Sequence, residues 1–248
     1  MNRLEISPIG DLPEFTEGME IGAEIGACAE LLDGDVIVVS QKIVSKAEGQ
    51  VRSLDGVEPG EEAHRLAAEL GKEAALVELI LAESREVLRA ERGVLIAETH
   101  HGFVCANAGI DSSNLPGAGT VALLPEDPDA SARRIRAEIR AVASVSPAVI
   151  VSDSFGRAWR LGQAEVAIGC AGIGPLDDWR GRADAGGREL EATLIAIADE
   201  AAAAADLVRD KASGVPAAIV RGLDRYVSSV DGPGAGILRR PRSEDLFR

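Results

Sequence analysis

GDVIVVSQKIVSKAEG, residues 34–49, decides how this chain is read. Asp33 and Gly34 form a turn, and DVIVVS (35–40) follows as an unbroken apolar run of strand length. A strand that keeps no polar alternation is one buried on both faces. Directly after it, Ser40, Gln41, Lys42 and Lys46 fall within reach of the strand's carboxyl end. Spacing alone leaves two readings open there, a solvated exit from the strand or the wall of a binding site.

Working outward, the chain mixes strands and helices without a strict alternation. EEAHRLAAEL (61–70) reads as a helix stopped by Gly71, and a second helix covers 72–82. GVLIA (93–97) and GFVCA (102–106) read as paired strands with Thr-His-His at their turn, and GTVALL (119–124) as another strand. Ile135, Ile139 and Val142 share one helix face after the break at LPEDPDAS. PAVIVSD (147–153) reads as a strand that ends at Asp153, with Gly156 making a tight turn. The longest helix is expected over 187–207 on the Leu190, Leu194, Ile197, Ala201, Ala205 stripe, and PAAIVRG (216–222) is the last strand. The Gly- and Arg-rich tail, with GPGAG at 232–236, reads as partly mobile. The pattern predicts an α+β (mixed α/β) fold of mixed sheets with flanking helices. No internal repeat or clear linker divides the 248 residues, so a single module over 1–248 is expected.

Composition narrows the function. Lys and Arg number 26 against 41 Asp and Glu, a net charge of −15. Such a surface repels nucleic-acid phosphates and anionic membranes, so neither is expected as a partner. The same acidity also serves plain solubility or adaptation to salt. Cys28, Cys105 and Cys170 lack CxxC spacing and read as small buried hydrophobes in a reducing compartment. No signal peptide or run of 18 apolar residues is seen, so the cytoplasm is the expected location. GxxxxGK[ST], GxSxG and HExxH are all absent, and GPGAG lacks dinucleotide-motif spacing. His64, His100 and His101 have no metal-ligand spacing with the cysteines.

Three polar stretches sit at the ends of apolar runs: SQKIVSKAEG (40–49), NAGIDSSN (107–114) and VSDSFGRAWR (151–160). The second is too rich in small polar groups for a plain hairpin. Asp111 and Asp153 are its natural acidic pair with the third stretch, followed by Ser154. Each Asp alone also suits a turn or helix cap. Two carboxylates drawn together repel unless a cation lies between them, and hard oxygen ligands select Mg²⁺ or Mn²⁺. Arg157 and Arg160 bring positive charge for phosphate or carboxylate groups. These residues point to a metal–phosphate enzyme.

The motifs in order, LPEFTEGM (12–19), GDVIVVSQKIVSKAEG (34–49), CANAGIDSSN (105–114), VSDSFGRAWRLGQAEVAIGCAGI (151–173) continuing into DDWRGRAD…GRELEATLIAIADE (177–200), then PAAIVRGL, resemble the coenzyme F-420 gamma-glutamyl ligase family. The resemblance implies a GTP- and metal-dependent ligase that adds L-glutamate to a deazaflavin coenzyme precursor through an acyl phosphate. It implies Asp111, Asp153 and Ser154 as ligands of Mg²⁺ or Mn²⁺, with K⁺ a candidate further ion. It implies Leu12, Pro13, Glu14, Phe15, Gln41, Lys42, Lys46 and Asn114 as nucleotide contacts. Arg157 and Arg160 as catalytic residues are a reading of the residues themselves. An interwoven homodimer of two subdomains, the inserted one spanning about 88–186, is implied as well. VRDKASGV (208–215) departs from the family, with Arg209, Asp210 and Lys211 replacing small or different groups, which bears on nucleotide choice and on a second metal position. Some relatives carry a fused flavin-reductase-like domain, which is not expected here. A metal-dependent phosphohydrolase and a non-catalytic nucleotide- or deazaflavin-binding module are the competing readings.

Overall fold

The computed structural model describes residues 3–113, 115, 117–210 and 212–246. Along the chain run β1 (Glu5–Ile9), α1 (Ile21–Cys28), β2 (Val36–Ser40), α2 (Gln41–Ala47), β3 (Val51–Ser53), α3 (Glu61–Leu70) and α4 (Ala74–Ala82). Next come β4 (Ser84–Glu91), β5 (Val94–Thr99), β6 (Val104–Ala106), β7 (Thr120–Ala122), α5 (Pro128–Ala143), β8 (Ala148–Arg157) and β9 (Arg160–Ala171). The chain closes with β10 (Asp177–Asp178), β11 (Leu194–Ile195), α6 (Ile197–Asp206) and β12 (Ala217–Arg221). The fold is α+β, as its sequence pattern predicts.

A mixed sheet in the order β1-β12-β2-β8-β9 carries the architecture. β2 and β8 run parallel and the other pairs antiparallel. The VIVV run is central, and its alternate side chains go to opposite faces. Ile37 and Val39 join Val149, Val151, Ile25, Ile135 and Ile139 on the α1/α5 side. Val36 and Val38 join Ala148, Ile150, Ala201 and Ala205 on the α6 side. Small alanines let α6 lie close on the sheet. A third apolar cluster, from Leu54 to Leu123, sits under α3, α4 and the β4-β5-β6 sheet. The stretch 88–186 expected as an inserted unit therefore contributes to more than one cluster, because β8 and β9 complete the main sheet.

Several local expectations are corrected. The segment after Ser40 is the helix α2, because Ile43 and Val44 bury an apolar face. The helix expected over 187–207 starts only at Ile197. Upstream, Asp184 Oδ1 accepts from the N–H groups of Gly186 and Arg188, closing a turn that competes with helix. Leu194 then pairs with Asp178 in the β10–β11 ribbon. α5, with 16 residues, is longer than α6 with 10. β8 passes Asp153 and reaches Arg157, paired throughout with β9, so the turn falls beyond Gly156, at Trp159 with φ +60°. The GPGAG segment is docked: Ala235 N–H donates to Asp129 Oδ1 at 2.7 Å, and Arg136 Nη1 donates to the adjacent Asp231 at 2.7 Å. Cys105 and Cys170 are buried, but Cys28 is exposed at the end of α1.

The β8–β9 hairpin is seated by close contact between Gly169 and the first turn of α5. A Cβ at Gly169 would lie 2.2 Å from the Pro128 carbonyl oxygen. Backbone cannot yield as a side-chain tip can, so Gly169→Ala is expected to destabilise the protein by about 1–3 kcal/mol. Urea unfolding checks this, and an unchanged midpoint would contradict the seating.

Candidate active site

Parallel pairing sets the carboxyl ends of β2 and β8 side by side, with Ser40 opposite Ser152. Ligands of open sheets gather at such strand ends. Here they open into a cleft of about 360 Å³ walled by four segments of chain. Leu12 to Phe15 form one wall, the β2–α2 junction a second, Asp111 and Ser113 a third, and Asp206, Arg209, Asp210, Ala212 and Gly214 to Pro216 the fourth. Asp153, Ser154 and Glu165 form the floor. A second hollow of about 320 Å³, between β1 and α1, has Cys28 at its rim and none of the predicted residues.

Asp111 is fixed by a series of local pairings. β7 pairs with β3, and the Asp111 backbone bridges Ala122 through N–H···O contacts of 3.1 and 2.8 Å. Just upstream, Asn107, Ala108 and Gly109 all have positive φ, at 53°, 53° and 75°. Left-handed backbone in non-glycine residues costs on the order of 1 kcal/mol or more each and persists where the surroundings enforce it. The Asp111 carboxylate accepts from Ser113 N–H at 2.7 Å, Ser113 Oγ at 3.0 Å and Lys42 Nζ at 2.8 Å. Burial pushes this carboxyl up, but the Lys42 and Ser113 hydrogen bonds outweigh it and hold Asp111 below its ordinary range.

Asp153 has the opposite environment. Burial and the neighbouring charge of Glu165, then that of Asp111, push its carboxyl up to about 7, although Ser154 N–H donates to it at 2.9 Å. Both predicted aspartates thus face one cleft and sense each other. Among the described residues no three Asp, Glu, His or Cys side chains form a ready-made metal cage. Two carboxylates and a hydroxyl nevertheless fit Mg²⁺ or Mn²⁺, since Mg²⁺ commonly takes one or two protein carboxylates and completes its shell with water and substrate phosphates. The observation that favours a cation is that Asp111, Asp153 and Ser154 line one cleft, where positive charge would offset two neighbouring carboxylates. Nearby, burial and the Asp153 charge push the Cys105 thiol up to about 12.

The remaining predicted residues divide between the cleft and other places. Lys42 and Lys46 reach it, Lys46 pairing with Glu14 at 2.5 Å. Gln41 lines it, but its amide is turned inward to Ser45 Oγ (2.6 Å) and the Leu123 carbonyl (3.0 Å). Leu12 and Pro13 line the rim, while Phe15 is buried in the core below. Asn114 lies outside the described residues. Arg157 and Arg160 are at the exposed tip of the β8–β9 hairpin, away from the cleft lining, where Arg157 donates to the Leu161 and Gly162 carbonyls. Glu165 and Arg209 are site residues that spacing did not single out as such. Their signal is tertiary: Glu165 stands opposite Ser154 across the hairpin, and Arg209 Nη2 donates to its carboxylate at 3.0 Å.

A mixed α+β fold whose cleft assembles carboxylates, two lysines and an arginine at strand ends is the architecture of an enzyme for small charged substrates. The chain belongs to the F420-0:gamma-glutamyl ligase family, whose model matches residues 11–222. It is 48% identical to the coenzyme F420:L-glutamate ligase of Methanothermobacter thermautotrophicus, over 88% of this chain and 86% of that protein. Proteins of the same name from Methanopyrus kandleri and Haloarcula marismortui are 43% and 45% identical, covering 99% of this chain and 98% and 93% of their own lengths.

Asp153 gives a measurable pH effect. An elevated pKa means that the folded state holds this proton more tightly than the unfolded one, so metal-free stability falls as pH climbs from about 4 to about 7. Asp153→Asn removes that loss. In EDTA its melting temperature is expected to exceed the wild type's by several degrees at pH 8, with the gap closing near pH 4. Thermal melts across that range check it; a pH-independent gap would contradict the assigned environment.

Proposed function

We propose that this protein is a coenzyme F420:L-glutamate ligase: it joins L-glutamate to a deazaflavin precursor by an amide bond, using GTP. Family membership and the names of its relatives support the ligase and its substrates. The observation that supports nucleotide-driven chemistry is the concentration of Lys42 and Lys46 beside Asp111 and Asp153 in one cleft.

The chemistry follows from charge. An acceptor carboxylate and a triphosphate repel each other, so the reaction needs cations between them. An oxygen of the precursor carboxylate bonds to the γ-phosphorus as the bridge to GDP breaks. The glutamate amine then attacks the acyl carbon, the C–N bond forms, phosphate leaves, and the amine gives up a proton. Asp111, Asp153 and Ser154 would hold a Mg²⁺ or Mn²⁺ ion, which when bound draws charge from phosphate oxygens and favours the leaving group. Lys42 and Lys46 are placed to donate to phosphate oxygens. To do so they exchange their present partners: Lys46 leaves Glu14, whose side chain is mostly exposed and free to turn away. Leu12 and Pro13 shape the rim on which the nucleotide would rest, with Phe15 packed beneath it. Trp159 and Leu161 project from the hairpin tip with 80% and 98% of their surface exposed, a contact surface suited to a second copy of the chain. In that homodimer Arg157 and Arg160 would be carried to the partner subunit.

Precursor incubated with glutamate, GTP and Mn²⁺ is expected to gain glutamyl mass with equal release of phosphate. Phosphate release without precursor and glutamate would instead establish a phosphohydrolase, and GTP binding without release a binding module. Lys46→Ala is expected to raise the KM for GTP about 10-fold or more by removing a charge-assisted hydrogen bond; steady-state kinetics decide it, and an unchanged KM removes Lys46 from the nucleotide site.

A further inference from the structure

The floor of the cleft contains a hydrogen-bonded cluster of which the ligase reading uses only Ser154. Glu165 lies directly across the β8–β9 ladder from Ser154 and is 6% exposed. Its Oε1 accepts from Ser154 Oγ at 2.5 Å. Its Oε2 accepts from Ser152 Oγ at 2.5 Å and from Arg209 Nη2 at 3.0 Å. Arg209 Nη2 also lies 3.1 Å from Ser152 Oγ, and the guanidinium is buried. Among the described residues its buried Nε and Nη1 have no acceptor. A residue placed only to satisfy its own donors would not sit so, and its closest acceptor here is Glu165.

We propose that Glu165 is a positioning residue that fixes the Ser154 hydroxyl for cation binding, with Arg209 as the counter-charge that keeps Glu165 in place. The inference rests on the reading of Asp111, Asp153 and Ser154 as holders of a divalent cation. A serine hydroxyl has one proton and two lone pairs. Donating the proton to Glu165 points it away from the cleft and leaves lone pairs for a cation. An acceptor behind a ligand also raises the ligand's basicity. Both Glu165 oxygens are occupied by donors, so the carboxylate cannot rotate without breaking contacts. Arg209 offsets a third negative charge beside Asp111 and Asp153. Arg209 is thereby the residue of VRDKASGV that is tied to the proposed cation-binding floor.

Glu165→Gln tests this with little change of shape. Arg209 requires the amide oxygen on its own side, which turns the amide NH₂ toward Ser154. The hydroxyl must then accept, and its proton faces the cleft. Mn²⁺ affinity of the full chain, without substrates, is measured by electron paramagnetic resonance of the free ion and by calorimetry. S154A and E165Q are each expected to weaken Mn²⁺ binding about 10-fold or more. S154A/E165Q is expected to be no weaker than S154A, because Glu165 acts through Ser154. Unchanged affinity in E165Q beside a weakened S154A overturns the proposal, and so do additive losses, which would make Glu165 a ligand in its own right. If D153N and S154A both bind Mn²⁺ normally, the cation reading falls, and the proposal with it. Should E165Q fail to fold by circular dichroism, E165L/R209M, which leaves no lone buried charge, is measured instead, with the same weakening expected and the same unchanged affinity overturning the role.

Discussion

Parallel pairing of β2 with β8 is the constraint on which the rest of the molecule depends. Antiparallel neighbours place one strand's end beside the other's beginning. A parallel pair puts two carboxyl ends together, and with them whatever polar residues terminate each apolar run. Such a pair is stable only when both faces are covered. The chain meets that demand with α1 and α5 on one side and alanine-rich α6 on the other. The cleft is thus a consequence of how the two most apolar strands are buried.

Electrostatics at the cleft are deliberately unbalanced. Asp111 is held charged by Lys42 and Ser113, whereas Asp153 is buried against Glu165 and pushed up to about 7. Two carboxylates in one cleft thus have their affinities for protons driven apart. Glu165 adds to the pressure on Asp153 and yet is itself held by Arg209 and two serines. The three acids therefore have different partners and different work. A cation entering between Asp111 and Asp153 would replace a proton, while Glu165 stays with Arg209.

Much of this was legible in the sequence, and the limits have physical causes. VIVV and AVIV announce buried strands because both faces require apolar side chains. The polar runs after them marked the segments that meet in the cleft. Helix α2 escaped notice because its seven residues bear lysines on one side and show too little periodicity to tell from a loop. The Leu190–Leu194 stripe imitated a helix, since a 3.6-residue period does not reveal that Asp184 caps a competing turn. Strand β8 was cut short at Asp153 because a polar residue followed by glycine resembles a turn, while the pairing that carries the strand onward comes from β9. Glu165 and Arg209 lie 44 residues apart, and their contact depends on register and on loop closure, which no local pattern encodes.

A net charge of −15 opposes the anionic nucleotide proposed as a substrate, and distance resolves the conflict. At physiological ionic strength charges beyond about 8 Å are largely screened, so most surface carboxylates add little inside the cleft. Lys42 and Lys46 act at contact range, in surroundings where water is partly excluded and attraction is stronger. Local order therefore outweighs the global field for binding, whereas the global field still slows the approach of a polyanion. Raising salt should consequently speed encounter while weakening the held state, opposite effects that arise from one charge distribution. The same division explains why the lysines rest on Glu14 and Asp111. Those carboxylates keep the two ammonium groups oriented at the cleft, and in the proposed ligase a triphosphate would take their place by exchange rather than by creating new charge there.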